Sequence, residues 1–215
     1  MSQVEIYGIP KSSYVRSARW ALAEKGIEHV LLPPDGAALD SPAYLARHPF
    51  GKIPALAHGD VQLYEVAAIC QYADEAFDGP SLQPADVVER AQMRKWISIV
   101  SHYFDPAIVR NYTFVYRFAD GEPDRAKIDA TLPDIEKYTK VLDETLGGRD
   151  YLVADHITIA EFIIAPMMQV LGKFPEGEEI LSRRKNITRA VKAWTSRPAY
   201  AVANTIPDWA KPPAG

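Results

Sequence analysis

The 215 residues carry 24 Lys and Arg against 28 Asp and Glu, a net charge of −4, which gives no electrostatic reason to expect nucleic acid or an anionic membrane as partner. Hydrophobic residues make up 47% and charged residues 24%, ordinary globular usage that excludes disordered, collagenous and coiled-coil classes. A single cysteine, Cys70, excludes an internal disulfide framework and fits a reducing, cytoplasmic compartment.

The chain enters on a strand-like run, Val4 to Tyr7, with neither the basic nor the apolar region of a signal peptide, and no stretch is apolar for long enough to span a bilayer. Gly8 and Pro10 break the strand. A helical stripe of Val15, Ala18, Ala21 and Leu22 runs from Ser13 to Lys25, with Gly26 where a C-terminal cap belongs. His29 to Leu32 reads as a second strand, and Pro42 to Arg47 suits a short helix. Ile53 to Leu56 and Val61 to Tyr64, separated by His58-Gly59-Asp60, read as a β-hairpin. A helix from about Glu65 to Phe77 follows. The order βαβαββα predicts a mixed, helix-covered sheet, the order of the thioredoxin fold.

Residues 79–87, opening on the breaker-rich Gly79-Pro80-Ser81-Leu82-Gln83-Pro84, read as a linker between a domain at 1–78 and an all-helical domain at 88–215. In the latter, Met93, Trp96, Ile97, Val100 and Phe104 keep to one face until Pro106 disturbs it. Ile128, Leu132, Ile135, Leu142 and Leu146 form a second stripe that Gly147-Gly148 ends, with Pro133 near its start or kinking it. Thr158-Ile159-Ala160-Glu161 is a capping box, and Ile157 with Phe162 stands where a hydrophobic staple sits. Ile187, Val191 and Trp194 mark a last amphipathic helix before Arg197-Pro198. The tail Ile206-Pro207-Asp208-Trp209 either folds over a site or hangs free.

Three stretches of the first domain have the residue types that carry chemistry. Between Tyr7 and Tyr14, Ser12 and Ser13 lie at a helix start, where backbone N–H groups favour an anion and a hydroxyl donates to it; either serine also suits a plain cap. His48-Pro49-Phe50-Gly51-Lys52-Ile53-Pro54 opens a strand, and Tyr64-Glu65-Val66 joins a strand to a helix. No C-x-x-C, P-loop, G-x-S-x-G or G-x-G-x-x-G occurs, the five histidines and Cys70 show no metal-ligand spacing, and no metal is expected. Cys70 sits among Ala68, Ile69 and Tyr72 as a small buried hydrophobe.

In this order the three stretches resemble the cytosolic glutathione transferases. Tyr7 to Gly26 looks like the N-terminus of serine-type classes, phi and its bacterial relatives most closely; His48 to Leu56 resembles the N-P-x-G-x-V/I-P segment, and Glu65 to Tyr72 the E-S-x-A-I-x-x-Y helix start. Ala154 to Glu161 resembles the family's buried capping box, with Glu161 for the usual aspartate, and Trp194 to Ala199 its final helix. The resemblance implies a thioredoxin-like N-terminal domain followed by a helical bundle, and a detoxifying transferase that joins glutathione, as co-substrate, to a hydrophobic electrophile. It gives Ser12 the glutathione sulfur, with Ser13 and Tyr7 as alternatives. Pro54 becomes a cis-proline that presents the Ile53 backbone to the cysteinyl part; Glu65 accepts from the γ-glutamyl ammonium, and Lys52 meets a carboxylate.

Phe50 stands where some classes lock an aromatic into the partner of a homodimer. The acceptor pocket is expected between the domains, with Tyr103, Phe104, Tyr112 and Tyr116 as candidates that otherwise pack the core. One departure bears on activity. Val66 replaces the family's Ser or Thr, whose hydroxyl holds the γ-glutamyl carboxylate, leaving the Val66 N–H to do so. The rivals are a non-catalytic binding or interaction module, motivated by Val66, and a glutathione-dependent isomerase of the zeta type. The latter is suggested by the serine pair, although Tyr14 follows where the zeta pattern has cysteine.

Overall fold

The computed structural model describes residues 2–211. Four strands, β1 (Val4–Tyr7), β2 (His29–Leu32), β3 (Ala55–His58) and β4 (Val61–Tyr64), form one sheet in the order β2-β1-β3-β4. β1 runs parallel to β2 and antiparallel to β3, and β3 is antiparallel to β4. This is the mixed, thioredoxin-like sheet that the element order predicts. The hairpin's first strand begins at Ala55 rather than Ile53, because Pro54 has no N–H for a ladder and the Ile53–Pro54 peptide is cis.

Alternation along the strands decides which face each side chain covers. Val4, Ile6 and Leu56 are buried on the face that carries α1 (Ser13–Glu24) and α3 (Val66–Ala76), which pack against each other. Tyr7, Ala55 and Ala57 point to the other face and pack with Tyr44 of α2 (Pro42–Leu45). α1 ends where its sequence stops it. Gly26 takes φ 73°, its N–H bonds to the Ala23 carbonyl at 3.0 Å, and the Ile27 N–H bonds to the Leu22 carbonyl at 2.9 Å. That pair of bonds is a Schellman cap, and a residue with a Cβ adopts its φ only at a cost.

The helical part comprises α4 (Val87–Ile99), a π-helical stretch over Val100–Thr113, α5 (Phe114–Arg117), α6 (Arg125–Leu146), α7 (Ile159–Leu171), α8 (Pro175–Ser182) and α9 (Lys185–Thr195). Pro106 does not end its helix; it lies inside the wider π turn, which accommodates a ring that clashes with the i−4 carbonyl of an α-helix. Pro133 sits well inside α6 rather than near its start. α7 is buried on every side except at Gln169, which its apolar sequence allows, and packs against α4, the π stretch and α9. Its capping box is closed: the Glu161 carboxylate accepts from the Thr158 N–H at 2.7 Å, the Thr158 hydroxyl at 2.6 Å and the Leu152 N–H at 2.8 Å.

By packing, the chain divides into Met1–Gln83 with Ser196–Gly215, and Pro84–Thr195. The C-terminal boundary thus differs from a helical domain running over 88–215, because α10 (Pro198–Ala203) lies on α1. The physical cause is Arg19. Its buried guanidinium donates to the carbonyls of Val202, Ala203 and Thr205, to the Thr205 hydroxyl and to His29 Nε2, at 2.7 to 3.3 Å. The tail does not hang free: the Trp209 indole donates to the Leu31 carbonyl of β2 at 3.0 Å. The residues expected to form a linker are also held, since the buried Lys25 ammonium bonds to Asp74 and to the Pro80 carbonyl while Asp74 accepts from the Leu82 N–H.

Candidate functional site

Strand register brings the three chemistry-bearing stretches to one end of the sheet. Tyr7, the last residue of β1, pairs with Ala55, the first of β3, and Ala55 pairs with Tyr64, the last of β4. Gly8 to Ser12 therefore leave the sheet beside the incoming Ile53-Pro54 and the outgoing Glu65-Val66. Gly8 shows how close they come. A Cβ built there lies 2.4 Å from Val15 Cγ2, so glycine lets the end of β1 pass this close to the first turn of α1, with Ile53 Cβ in ordinary contact at 3.5 Å.

Ser12 is the N-cap of α1. Its φ and ψ are extended, it is half-buried, and its Oγ accepts from the Val15 N–H at 3.4 Å. An oxygen used as acceptor leaves its O–H to donate elsewhere, next to the positive end of a twelve-residue helix. Ser13 is the first helical residue and is buried, with its carbonyl taken by the Ser17 hydroxyl. The Tyr7 hydroxyl is already committed, donating to Glu5 Oε2 at 2.6 Å, while the Arg47 guanidinium lies 3.7 Å above the ring centre. Burial and the bond to Glu5 push the Tyr7 phenol up to about 12.

On the facing side Lys52 is exposed and Pro54 buried. Glu65 is the N-cap of α3 and, among the described residues, the one non-glycine with positive φ (φ 70°, ψ 117°). A backbone held there costs about 1–3 kcal/mol, and such residues gather at ligand sites. Val66, next in line, is buried and opens α3, so its N–H belongs to the helix's first turn.

Three side chains given no role in the sequence reading complete this end. Tyr44 is fully buried and its hydroxyl donates to the Lys52 carbonyl at 2.6 Å. Arg47 ties Asp35 at 2.7 Å to its stack on Tyr7. His48, buried, lies with its ring 4.8 Å from that of Tyr64; burial lowers its pKa, so the imidazole is neutral at pH 7. All three sit in or beside a four-residue helix, too short for periodicity to show which face they present.

Elsewhere, burial disposes of other candidates. Desolvation pushes the Cys70 thiol far up, leaving it inert. Phe104 and Tyr112 are buried, and the Tyr112 hydroxyl donates to Glu176 at 3.0 Å and accepts from the Gly177 N–H at 2.9 Å. The Tyr116 hydroxyl donates to the same carboxylate at 2.7 Å. Of the four aromatics considered for an acceptor pocket, only Tyr103 is exposed, at 52%. No group of three or more His, Cys, Asp or Glu among the described residues is placed to hold a metal, and none of their helices is long and apolar enough to cross a membrane.

Known proteins of this architecture are similar to it in sequence. Residues 6–81 match the glutathione S-transferase N-terminal domain and residues 93–199 the glutathione S-transferase C-terminal domain. Glutathione S-transferase 3 of Zea mays is 30% identical over 206 residues, covering 93% of this chain and 92% of its own. Glutathione S-transferase F13 of Arabidopsis thaliana is 31% identical, covering 92% and 93%. Among solved structures, glutathione S-transferase III in apo form superposes with a TM-score of 0.85 at 30% identity over 100% of both chains.

Proposed function

The chain belongs to the glutathione S-transferase family, and on that premise we propose that it joins the sulfur of glutathione to an electrophilic carbon of a hydrophobic substrate, with Ser12 as the residue that stabilises the thiolate. One observation carries this reading: the register sets the Ser12 hydroxyl, the Ile53 backbone and the Glu65-Val66 helix start at one end of one sheet. A tripeptide with a thiol, an ammonium and two carboxylates needs that variety of partners.

The chemistry follows from charge. A free thiol with a pKa of about 8.5 is only a few per cent ionised at pH 7, and lowering it by about two units takes roughly 2.7 kcal/mol of preferential anion stabilisation. The Ser12 O–H and the N-terminus of α1 supply a charge-assisted hydrogen bond and a positive field for it. The thiolate then forms the S–C bond while the electron pair leaves with the departing group or enters the acceptor. Ser13 and Tyr7 are the less suited donors, the first by burial and the second because its proton already serves Glu5. Glu65 accepts from the γ-glutamyl ammonium, the Val66 N–H holds the neighbouring carboxylate, the Ile53 backbone pairs with the cysteinyl unit, and Lys52 meets the other carboxylate.

Phe50, 68% exposed, supports a homodimer that buries it in the partner subunit. The lone buried thiol fits the cytoplasm. The test is calorimetric titration with glutathione, followed by the ultraviolet absorbance of bound thiolate against pH. Binding at or below millimolar with thiolate at neutral pH is the expected result. No binding at ten millimolar overturns the proposal and favours a binding module whose Val66 has removed a glutathione contact.

A further inference from the structure

Building on the proposed glutathione site, we infer that Tyr44 is a positioning residue, its buried hydroxyl fixing the direction of the Lys52–Ile53 peptide group that meets the ligand's cysteinyl unit. The segment from α2 to β3 has little regular structure, and one residue closes it at both ends. The Tyr44 carbonyl accepts from the Arg47 N–H at 2.9 Å and the His48 N–H at 2.8 Å, ending α2. Its hydroxyl reaches forward eight residues to the Lys52 carbonyl at 2.6 Å. Tyr44 itself cannot shift easily. It is fully buried, packed with Tyr7, Ala55 and Ala57, stacked on His48 at 6.4 Å, and its N–H is held by the Ser41 hydroxyl at 3.2 Å.

The consequence lies in peptide geometry. The Lys52 carbonyl and the Ile53 N–H belong to one planar group and, across a trans peptide, point in opposite directions. A phenol that holds the carbonyl inward turns the N–H outward. Without that bond the peptide rotates about its flanking φ and ψ, and Ile53 meets the ligand in only a fraction of its conformations. The apparent affinity falls by that fraction, while the thiolate chemistry at Ser12 stays as it was.

Tyr44→Phe keeps the ring and its packing and removes only the hydroxyl. Two measurements test the assignment. Amide hydrogen exchange at Gly51 of the free protein, whose N–H bonds to the His48 carbonyl at 2.9 Å within the anchored loop, is expected to quicken about tenfold, and KM for glutathione to rise about tenfold, with turnover at saturating glutathione and the pH dependence of the bound thiol retained. Unchanged exchange overturns the positioning role, and so does faster exchange with an unchanged KM. A parent protein that binds no glutathione counts against the proposed function instead; the exchange data, taken without ligand, still decide whether Tyr44 anchors the peptide.

Discussion

Ser12 has two duties that substitution can separate. Its oxygen caps α1 and its proton is assigned to the glutathione sulfur. At 3.4 Å the cap bond to the Val15 N–H is long, so Ser12→Ala is expected to cost only about 0.5–1 kcal/mol of stability, the low end of the range for caps. In a chain of this size that lowers the thermal midpoint by roughly 1–4 °C. The effect on chemistry is larger. If the bound thiol rises from about 6.5 to about 8.5, its ionised fraction at pH 7 falls from roughly three-quarters to roughly 3%, about 25-fold in rate, and most of it returns at pH 9. Ser12→Asp divides the two effects. A carboxylate caps the helix at least as well as serine and suits its dipole, so the midpoint holds, yet it has no proton to donate and repels the thiolate. The assay is the pH–rate profile of glutathione conjugation to an aryl halide beside thermal unfolding of both variants. Superimposable profiles for parent and Ser12→Ala, or full activity in Ser12→Asp, refute the assignment.

Other expectations follow from single groups. Against burial, which raises it, the Tyr116 hydroxyl, the Arg125 guanidinium, its own backbone amide and the Tyr112 hydroxyl hold the Glu176 carboxyl down to about 2. A depressed carboxyl stabilises the fold above its unfolded value of 4.5 and loses that as pH falls toward 2. The size is about 2–3 kcal/mol after allowing for the half-exposed Arg125, so urea unfolding of Glu176→Gln should show the loss at pH 7 and a flatter acid limb; a parallel acid limb contradicts this. Val66→Ser offers a hydroxyl to the γ-glutamyl carboxylate, and calorimetry should find glutathione bound about ten- to a hundredfold more tightly, at about 2–3 kcal/mol of stability for the two buried methyls removed and the hydroxyl introduced; equal affinity refutes the view that Val66 weakens the site. Glu161→Ala strands two backbone N–H groups and a hydroxyl in the core, and chemical unfolding should register a loss of about 3–6 kcal/mol; under 1 kcal/mol would mean that water replaces the carboxylate.

Local rules reach some of this molecule and not the rest. The Gly26 cap, the Thr158–Glu161 box and the extended turn at Ser12 are contests among residues a few positions apart, and composition decides them. The mix of parallel and antiparallel pairing was legible too, since a βαβ crossover and a tight hairpin leave few ways to pair four short strands. Long-range partners leave no such trace. Tyr112 and Tyr116 read as pocket aromatics because nothing near them in the chain announces Glu176, 60 and more residues away, which takes both hydroxyls. The grip of Arg19 on residues 202–205 is invisible at a separation of more than 180 residues. Tyr44 shows a milder case, since its partner Lys52 is close in sequence but the loop between them has no period to read.

That grip by Arg19 also sets an order of events at the ribosome. The strands and helices of the first unit leave the exit tunnel early, yet the carbonyls that Arg19 binds are made more than 180 residues after it. Until then a guanidinium destined for burial has to remain hydrated, so the first unit closes only after the whole helical unit has been synthesised. A nascent chain stalled at residue 195 is therefore not a finished first unit with a helical appendage. It has all four strands but an α1 surface still bare where α10 belongs, and a quality-control protease that recognises exposed apolar helix faces would meet it in that state.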